Sequence, residues 1–322
     1  MHDDFFAING RVVPAAQATI SVLDLAFLRG VGAFETLRTY GSHPHQVREH
    51  LERLWKAAAA CGIAPCFSET ELRQVIAEIL LRSKHPDLRV NIVVSPGDHT
   101  VGVFGAASPR WVVIARDVHA PEPEAYAFGV AVVTVPGMRL FPEVKSTCYL
   151  PGVQPMQIAG RTNAHEALYV HEDGSVTEGI TSNVLVVKGS TVTTPVKNCL
   201  AGLTKAGIKP LAIAAGMTWV EDRLTTADLA NADEVWITSS VRELLPVTRI
   251  DGRPVAKGEV GPWAKLLGAQ YRAWSIASAK QDDLRYFSQL NHQQQQVTHH
   301  AQQQQQQQQA LIQQQQQQQA LS

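Results

Sequence analysis

Val176-Thr177-Glu178-Gly179-Ile180-Thr181-Ser182-Asn183 joins a turn signal to an apolar run. Glu172-Asp173-Gly174 stands just before it, and the apolar run Val184 to Val187 follows directly. An Asp-Gly pair between β-rich segments marks a hairpin, because the tight connection needs residues that tolerate positive φ. The stretch therefore lies between short strands. Around it, residues 127–290 carry further β-rich runs at Phe128 to Val135, Ala167 to Val170, Val184 to Lys188, Thr191 to Thr194 and Val235 to Thr238, with helical texture at Gln154 to Glu166 and Thr204 to Ala215. This is a β-rich domain with some helices.

Upstream, residues 118–126 hold Pro121 and Pro123 with no apolar periodicity, which reads as a linker. Residues 1–117 read as a small α/β domain. Val47 to Cys61 sets Leu51, Leu54, Ala58 and Cys61 on one helical face, and Gly62 stops it. Ser68 to Lys84 opens with a capping box, Ser68 with Glu71, and continues at helical spacing. Val90 to Ser95 and Trp111 to Val118 read as buried strands. Residues 291–322 are mostly glutamine, a composition that buries too little apolar surface to offset its ordering entropy; a disordered or fluctuating helical tail is expected. The expected class is α+β, a small N-terminal domain joined to a larger β-rich one.

Charge narrows the function. Twenty-eight Lys and Arg stand against 29 Asp and Glu, so the chain has no long-range field to hold nucleic acid or an acidic membrane surface. The start, Met1-His2-Asp3-Asp4, lacks the basic and apolar segments of a signal peptide, and no run approaches the roughly 20 apolar residues that span a bilayer. Cys61, Cys66, Cys148 and Cys199 show no paired metal spacing and read as free thiols of a reducing, cytoplasmic setting. No Gly-x-Gly-x-x-Gly or Walker loop is present, His43, His45, His165 and His171 form no ligand-like group, and Ser108 and Ser146 lack an elbow motif. No metal is expected.

Lys145, in Pro142-Glu143-Val144-Lys145-Ser146-Thr147-Cys148-Tyr149-Leu150, sits where a strand-like run gives way to a helical one. A lysine enclosed in a cleft at such a junction loses affinity for its proton and becomes a nucleophile. Alone it reads as one more surface charge. With Glu178-Gly179 and Ser182-Asn183 about thirty residues on, it resembles the fold-type IV, or class IV, aminotransferases, a family that includes branched-chain and D-amino-acid aminotransferases, (R)-selective amine transaminases and aminodeoxychorismate lyases. The likeness runs from about Asn9 to about Leu267. It includes Ile20 to Asp24 with Gly30 to Arg38, His50-Leu51-Glu52-Arg53-Leu54, Leu200-Ala201-Gly202-Leu203-Thr204 and Trp236 to Glu243, in the family's order.

The resemblance implies a pyridoxal 5′-phosphate enzyme that exchanges an amino group between an amino acid and a 2-oxo acid. Lys145 would join the cofactor's aldehyde and later carry the proton as acid and base. Glu178 would face the pyridine nitrogen and keep it protonated. Arg53, Leu203, Thr204, Ser239 and Ser240 would surround the phosphate, with a helix start favouring the dianion. Leu200 would pack on the ring and Tyr149 would bond near the ring hydroxyl. Taken singly, Glu178 is a turn-flanking surface acid, Leu200 a core leucine, and Arg53 an i,i+4 partner of Glu49.

Departures from the family pattern concern the substrate. Arg29 stands where branched-chain enzymes carry an aromatic residue, so Arg29 and Phe34 are the candidate substrate contacts. Arg89-Val90-Asn91-Ile92-Val93-Val94-Ser95 matches neither the Arg-x-His pattern of D-amino-acid enzymes nor the branched-chain pattern, and Lys205 replaces a common arginine. A lyase of the aminodeoxychorismate type, releasing pyruvate, is the alternative reaction. A third reading is a scaffold without catalysis, against which Lys145, Glu178 and Arg53 stand together. The family also implies a homodimer or higher homo-oligomer.

Overall fold

The computed structural model describes residues 4–106 and 108–289; the glutamine-rich tail over 291–322 lies outside them. The first sheet is built from β1 (Phe5–Ile8), β2 (Arg11–Val13), β3 (Ala33–Tyr40), β4 (His43–Pro44), β5 (Leu88–Ser95) and β6 (Arg110–Asp117), in the spatial order β2-β1-β6-β5-β3-β4. All of its pairings are antiparallel. Between its strands come α1 (Leu25–Arg29), α2 (Val47–Ala60) and α3 (Glu69–Arg82).

Strand alternation divides this sheet into two faces. Leu88, Val90, Ile92 and Val94 of β5 are buried with Leu37 of β3 and Val113 of β6, and they pack on Leu51 and Leu54 of α2 and Leu72, Ile76 and Ile79 of α3. Each such side chain contributes roughly 1.5–3 kcal/mol when fully removed from water. The capping box forms as read, Ser68 accepting from Glu71 N–H while the Glu71 carboxylate accepts from Ser68 N–H. The opposite face, with Phe34, Thr36, Arg89 and Asn91, turns to a cleft that residues 239–242 line from the other side.

Past Asp117, Pro123 takes the first turn of α4 (Pro123–Phe128), where its missing N–H leaves nothing unpaired. The second half of the expected linker is thus helical. The second sheet holds β7 (Val130–Pro136), β8 (Glu166–Val170), β9 (Ser175–Gly179), β10 (Asn183–Lys188), β11 (Thr191–Thr194), β12 (Thr218–Glu221), β13 (Leu224–Thr225), β14 (Glu234–Ser239), β15 (Glu243–Ile250) and β16 (Arg253–Pro254). Their order is β12-β11-β10-β14-β15-β7-β8-β9-β13, with β16 added on β15. The helices here are α5 (Leu150–Arg161), α6 (Leu203–Ala214), α7 (Thr226–Ala230) and α8 over residues 262–289. Central strands are apolar on both faces because both are covered. Val184, Val186, Val235 and Ile237 pack on one side, while Leu185, Val187 and Trp236 meet Ile208 of α6 and Leu267 and Tyr271 of α8 on the other.

Helices α5 and α8 also differ from the sequence reading. Helix α5 starts at Leu150, several residues early, with Pro151 in its first turn, and it stops before Glu166, which enters β8. Helix α8 was not anticipated at all. The architecture as a whole is α+β.

One connection positions the site. Residues 145–147 run alongside the start of β3: Phe34 N–H donates to Lys145 O at 3.0 Å, and Thr147 N–H donates to Gly32 O at 2.9 Å. A segment that follows β7 is thereby stitched to the first sheet.

Candidate active site

Lys145 projects from that stitched segment. Arg139 braces the preceding loop, donating from Nη2 to Pro142 O at 3.2 Å and Val144 O at 2.7 Å. The Lys145 ammonium lies 4.5 Å from the centre of the Phe34 ring. Enclosure in the cleft disfavours its charge, and with Arg53 and Arg139 nearby this outweighs Glu35 and Glu178, so the amine is pushed down to about 8. A lysine so placed is a usable nucleophile and base near neutral pH.

Glu178 ends β9 on the second sheet and is buried. Its Oε2 accepts from Leu200 N–H at 2.9 Å. Its Oε1 is also buried, has Arg139 Nε at 3.5 Å, and has no hydrogen-bond donor. Burial pushes this carboxyl up, with Arg139 opposing. Next to it, Glu166 holds the 180–182 turn, accepting from the Thr181 hydroxyl at 2.5 Å, from Ser182 Oγ at 3.3 Å and from Arg242 Nη1 at 3.2 Å.

The far end of the cleft is lined by Arg53 and the start of α6. Arg53 turns away from Glu49 toward buried Glu35: Nε donates to Oε1 at 2.7 Å and Nη2 to Oε2 at 2.8 Å. His50 Nδ1 lies 2.7 Å from Oε2 of the same carboxylate. Burial alone would raise Glu35, but Arg53 and then His50 hold it far below the usual carboxylate range. Arg53 Nη1 donates to Ala201 O at 2.8 Å, so three of its five N–H groups are used and two remain. Helix α6 begins at Leu203 with no side-chain cap, leaving first-turn N–H groups unpaired. Gly202 precedes it because a Cβ there would lie 1.8 Å from Asn183 Oδ1. Asn183 Nδ2 in turn donates to Leu200 O at 2.8 Å, fixing the loop.

Arg53, Lys145, Tyr149, Glu178, Leu200, Leu203, Thr204, Ser239 and Ser240 all line this one cavity. Phe34 lines the adjoining one, which also reaches Lys145. Arg29 is not brought to either cavity; it is exposed at the end of α1, where Nη1 donates to its neighbour's carbonyl, Leu28 O, at 3.1 Å. Glu35, His50, Arg139 and Glu166 went unread as site residues. Glu35 and His50 stand within quoted motifs, but nothing local marks them as partners of Arg53.

The description "Amino-transferase class IV" covers a family model that matches residues 32–250, more than half of the sequence. The chain belongs to the class IV aminotransferases. Among curated class IV relatives, it is 34% identical over 264 residues to a D-alanine aminotransferase of Bacillus licheniformis, a match covering 80% of this chain and 92% of that one. It is 31% identical over 271 residues to a putative branched-chain-amino-acid aminotransferase of Methanocaldococcus jannaschii, covering 82% and 94%. The T.th. branched-chain amino acid aminotransferase, solved with pyridoxamine 5′-phosphate, superimposes with a TM-score of 0.78 at 27% identity, covering 85% of this chain and 94% of that one. Aminotransferase relatives of this kind do not favour the lyase alternative.

Class IV aminotransferases use pyridoxal 5′-phosphate, and the residues present fit it. A protonated ring nitrogen suits the donor-free Oε1 of Glu178, and a dianion suits the open start of α6 with the spare N–H groups of Arg53. Their family makes this chain a transaminase. No helix of the described residues is long and apolar enough to cross a membrane, and among them no group of His, Cys, Asp and Glu is arranged to hold a metal ion.

Proposed function

We propose that Lys145 holds pyridoxal 5′-phosphate covalently, that Glu178 accepts from its ring nitrogen, and that Arg53, Leu203, Thr204, Ser239 and Ser240 hold its phosphate, with Leu200 against the ring and Tyr149 near the ring hydroxyl. The observation that carries this is the pairing, across one cleft, of a lysine pushed down to about 8 with a buried acid lacking a donor on Oε1. When bound, the cofactor supplies an electron sink for the carbon that loses its proton. Lys145, released from its covalent role, moves that proton as acid and base. Glu178 keeps the ring nitrogen charged. Glu35 fixes Arg53 so that its free edge stays aimed at the phosphate, and Phe34 with Tyr149 limits water around the lysine (ring centres 5.6 Å apart).

The amino group passes between a small amino acid and a 2-oxo acid; the D-alanine and branched-chain names of its relatives support that range. Exposed Phe27, Val101, Phe104, Phe141 and Leu150 support assembly into a homodimer or larger homo-oligomer. Arg29, exposed at the end of the helix that also carries Phe27, is then assigned to substrate binding across the subunit boundary. The free, unpaired cysteines support a cytoplasmic setting.

Borohydride reduction of the loaded protein followed by peptide mapping is expected to place the cofactor label on Lys145. Label on another lysine, or none, overturns the assignment.

A further inference from the structure

The turn over residues 239–242 lines both cavities at Lys145: Ser239 and Ser240 reach the one that Glu178 lines, and all four residues reach the one beside it. It joins β14 to β15, with Ser239 directly opposite Glu243 and three residues between them. A hairpin loop of that length commonly turns back through a residue of positive φ, where glycine fits without strain. Here the residue is Glu243, at φ 57°. A glutamate held in that region is strained, and its carboxylate, buried as it is, must be paired.

The pairing comes from the other sheet. Arg38 Nη1, on β3, donates to Glu243 Oε1 at 3.1 Å and to Val241 O at 3.2 Å. Tyr40, also on β3, donates from its hydroxyl to the same Oε1 at 3.0 Å. Burial, with Glu243 adding to it, pushes the Tyr40 hydroxyl up, so it stays a donor. The Arg38 guanidinium lies 4.4 Å from the centre of the Tyr40 ring, which orders the two donors against each other. Arg272 of α8 lies 3.5 Å from Oε1, and Tyr126 of α4 donates to Arg242 O at 3.0 Å. Glycine in place of Glu243 would adopt the backbone more easily but would release the turn from β3.

The opposite face of β3 presents Glu35, which fixes Arg53. One strand therefore sets Arg53 from one face and the 239–242 turn from the other. We propose that Glu243 is a positioning residue: gripped by Arg38 and Tyr40, it holds the 239–242 turn so that Ser239 and Ser240 meet the cofactor's phosphate. This rests on the cofactor reading, in which those two serines contact the phosphate.

The test titrates the cofactor-free full chain with pyridoxal 5′-phosphate and with pyridoxal, which has the same ring and aldehyde but no phosphate, each followed by absorbance. Glu243→Gly is expected to weaken pyridoxal 5′-phosphate by about 10- to 100-fold and to leave pyridoxal within about 3-fold. Glu243→Gln, with one oxygen left to accept, should show the same selectivity with a loss of about 3- to 10-fold. A general loss of structure would weaken both compounds alike. Hydrogen exchange of the peptide spanning 239–243 should quicken in Glu243→Gly without cofactor present. Equal weakening of both compounds, no weakening of either, or unchanged exchange at the turn would overturn the proposal. A wild type that binds pyridoxal as tightly as its phosphate would instead overturn the phosphate assignment, while exchange at the turn still reads the grip on Glu243.

Discussion

Replacing Glu35 by glutamine probes the buried network that aims Arg53. In the wild type, Oε2 of Glu35 accepts from Thr36 N–H at 3.2 Å, from Arg53 Nη2 at 2.8 Å and from His50 at 2.7 Å, while Oε1 accepts from Arg53 Nε at 2.7 Å. The amide oxygen of glutamine can take the Oε2 place and keep three of these bonds. Its NH2 must then face the Nε–H of Arg53, donor against donor, and the guanidinium loses its counter-charge. The side chain of Arg53 is only 12% exposed, so water cannot make good the loss. Removing one partner of a buried pair costs about 3–5 kcal/mol. With three bonds retained, about 3 kcal/mol is expected, most of it as a lower urea midpoint at unchanged slope in the apoprotein. Cofactor affinity should fall as well, because Arg53 is free to turn from the phosphate. Arg53→Met in the Glu35→Gln background should then cost less than in the wild type, by at least about 1.5 kcal/mol. A Glu35→Gln loss below about 1 kcal/mol, or strict additivity with Arg53→Met, would refute the reasoning.

Lys145 gives a pH prediction with a definite sign. Its amine is held at about 8, so the rate at which the apoprotein captures pyridoxal 5′-phosphate should climb through about pH 8 and level off above about pH 9, followed by absorbance; a rate still climbing steeply at about pH 10, where ordinary lysines titrate, would contradict it. Between those values the folded chain binds fewer protons than the unfolded one, so apoprotein stability should rise with pH across that window, and Lys145→Met should abolish the rise. Gly202→Ala drives a methyl to 1.8 Å from Asn183 Oδ1 and breaks the Asn183 bond to Leu200 O, with an expected loss of about 2–3 kcal/mol in urea unfolding and weaker cofactor binding; an unchanged midpoint would show that the loop relaxes freely.

Local signals were legible where the chemistry is local. Ser68 and Glu71 wrote the start of α3 because both halves of the capping box lie within one turn. Asp173-Gly174 fixed the β8–β9 connection through the positive φ of Gly174. Helix α8 escaped because its buried positions include Ala264, Ser275 and Ala279, small residues that give a weak apolar period although Leu267 and Tyr271 fall in step. Helix α5 starts ahead of the expected Gln154 because Pro151 lies in the tolerant first turn, where its missing N–H leaves no bond unmade. In the site, Lys145, Glu178 and Arg53 were readable from motif order. The pairing of Arg53 with Glu35 was not: it joins a helix to a strand 18 residues away, while Glu49 offered a nearer partner on the same helix. Arg139 carried no signal, being one arginine in a loop whose targets are main-chain carbonyls.

The main-chain bonds from β3 to residues 145–147 make Lys145 a passenger of the six-stranded sheet, although it follows β7 in sequence. Glu178 travels with the ten-stranded one. The gap between amine and acid is therefore also the gap between the two sheets, and any rocking of one sheet against the other stretches or compresses it. Arg38, Tyr40 and Glu243, which join the two sheets through the Glu243 carboxylate, thereby become its calipers.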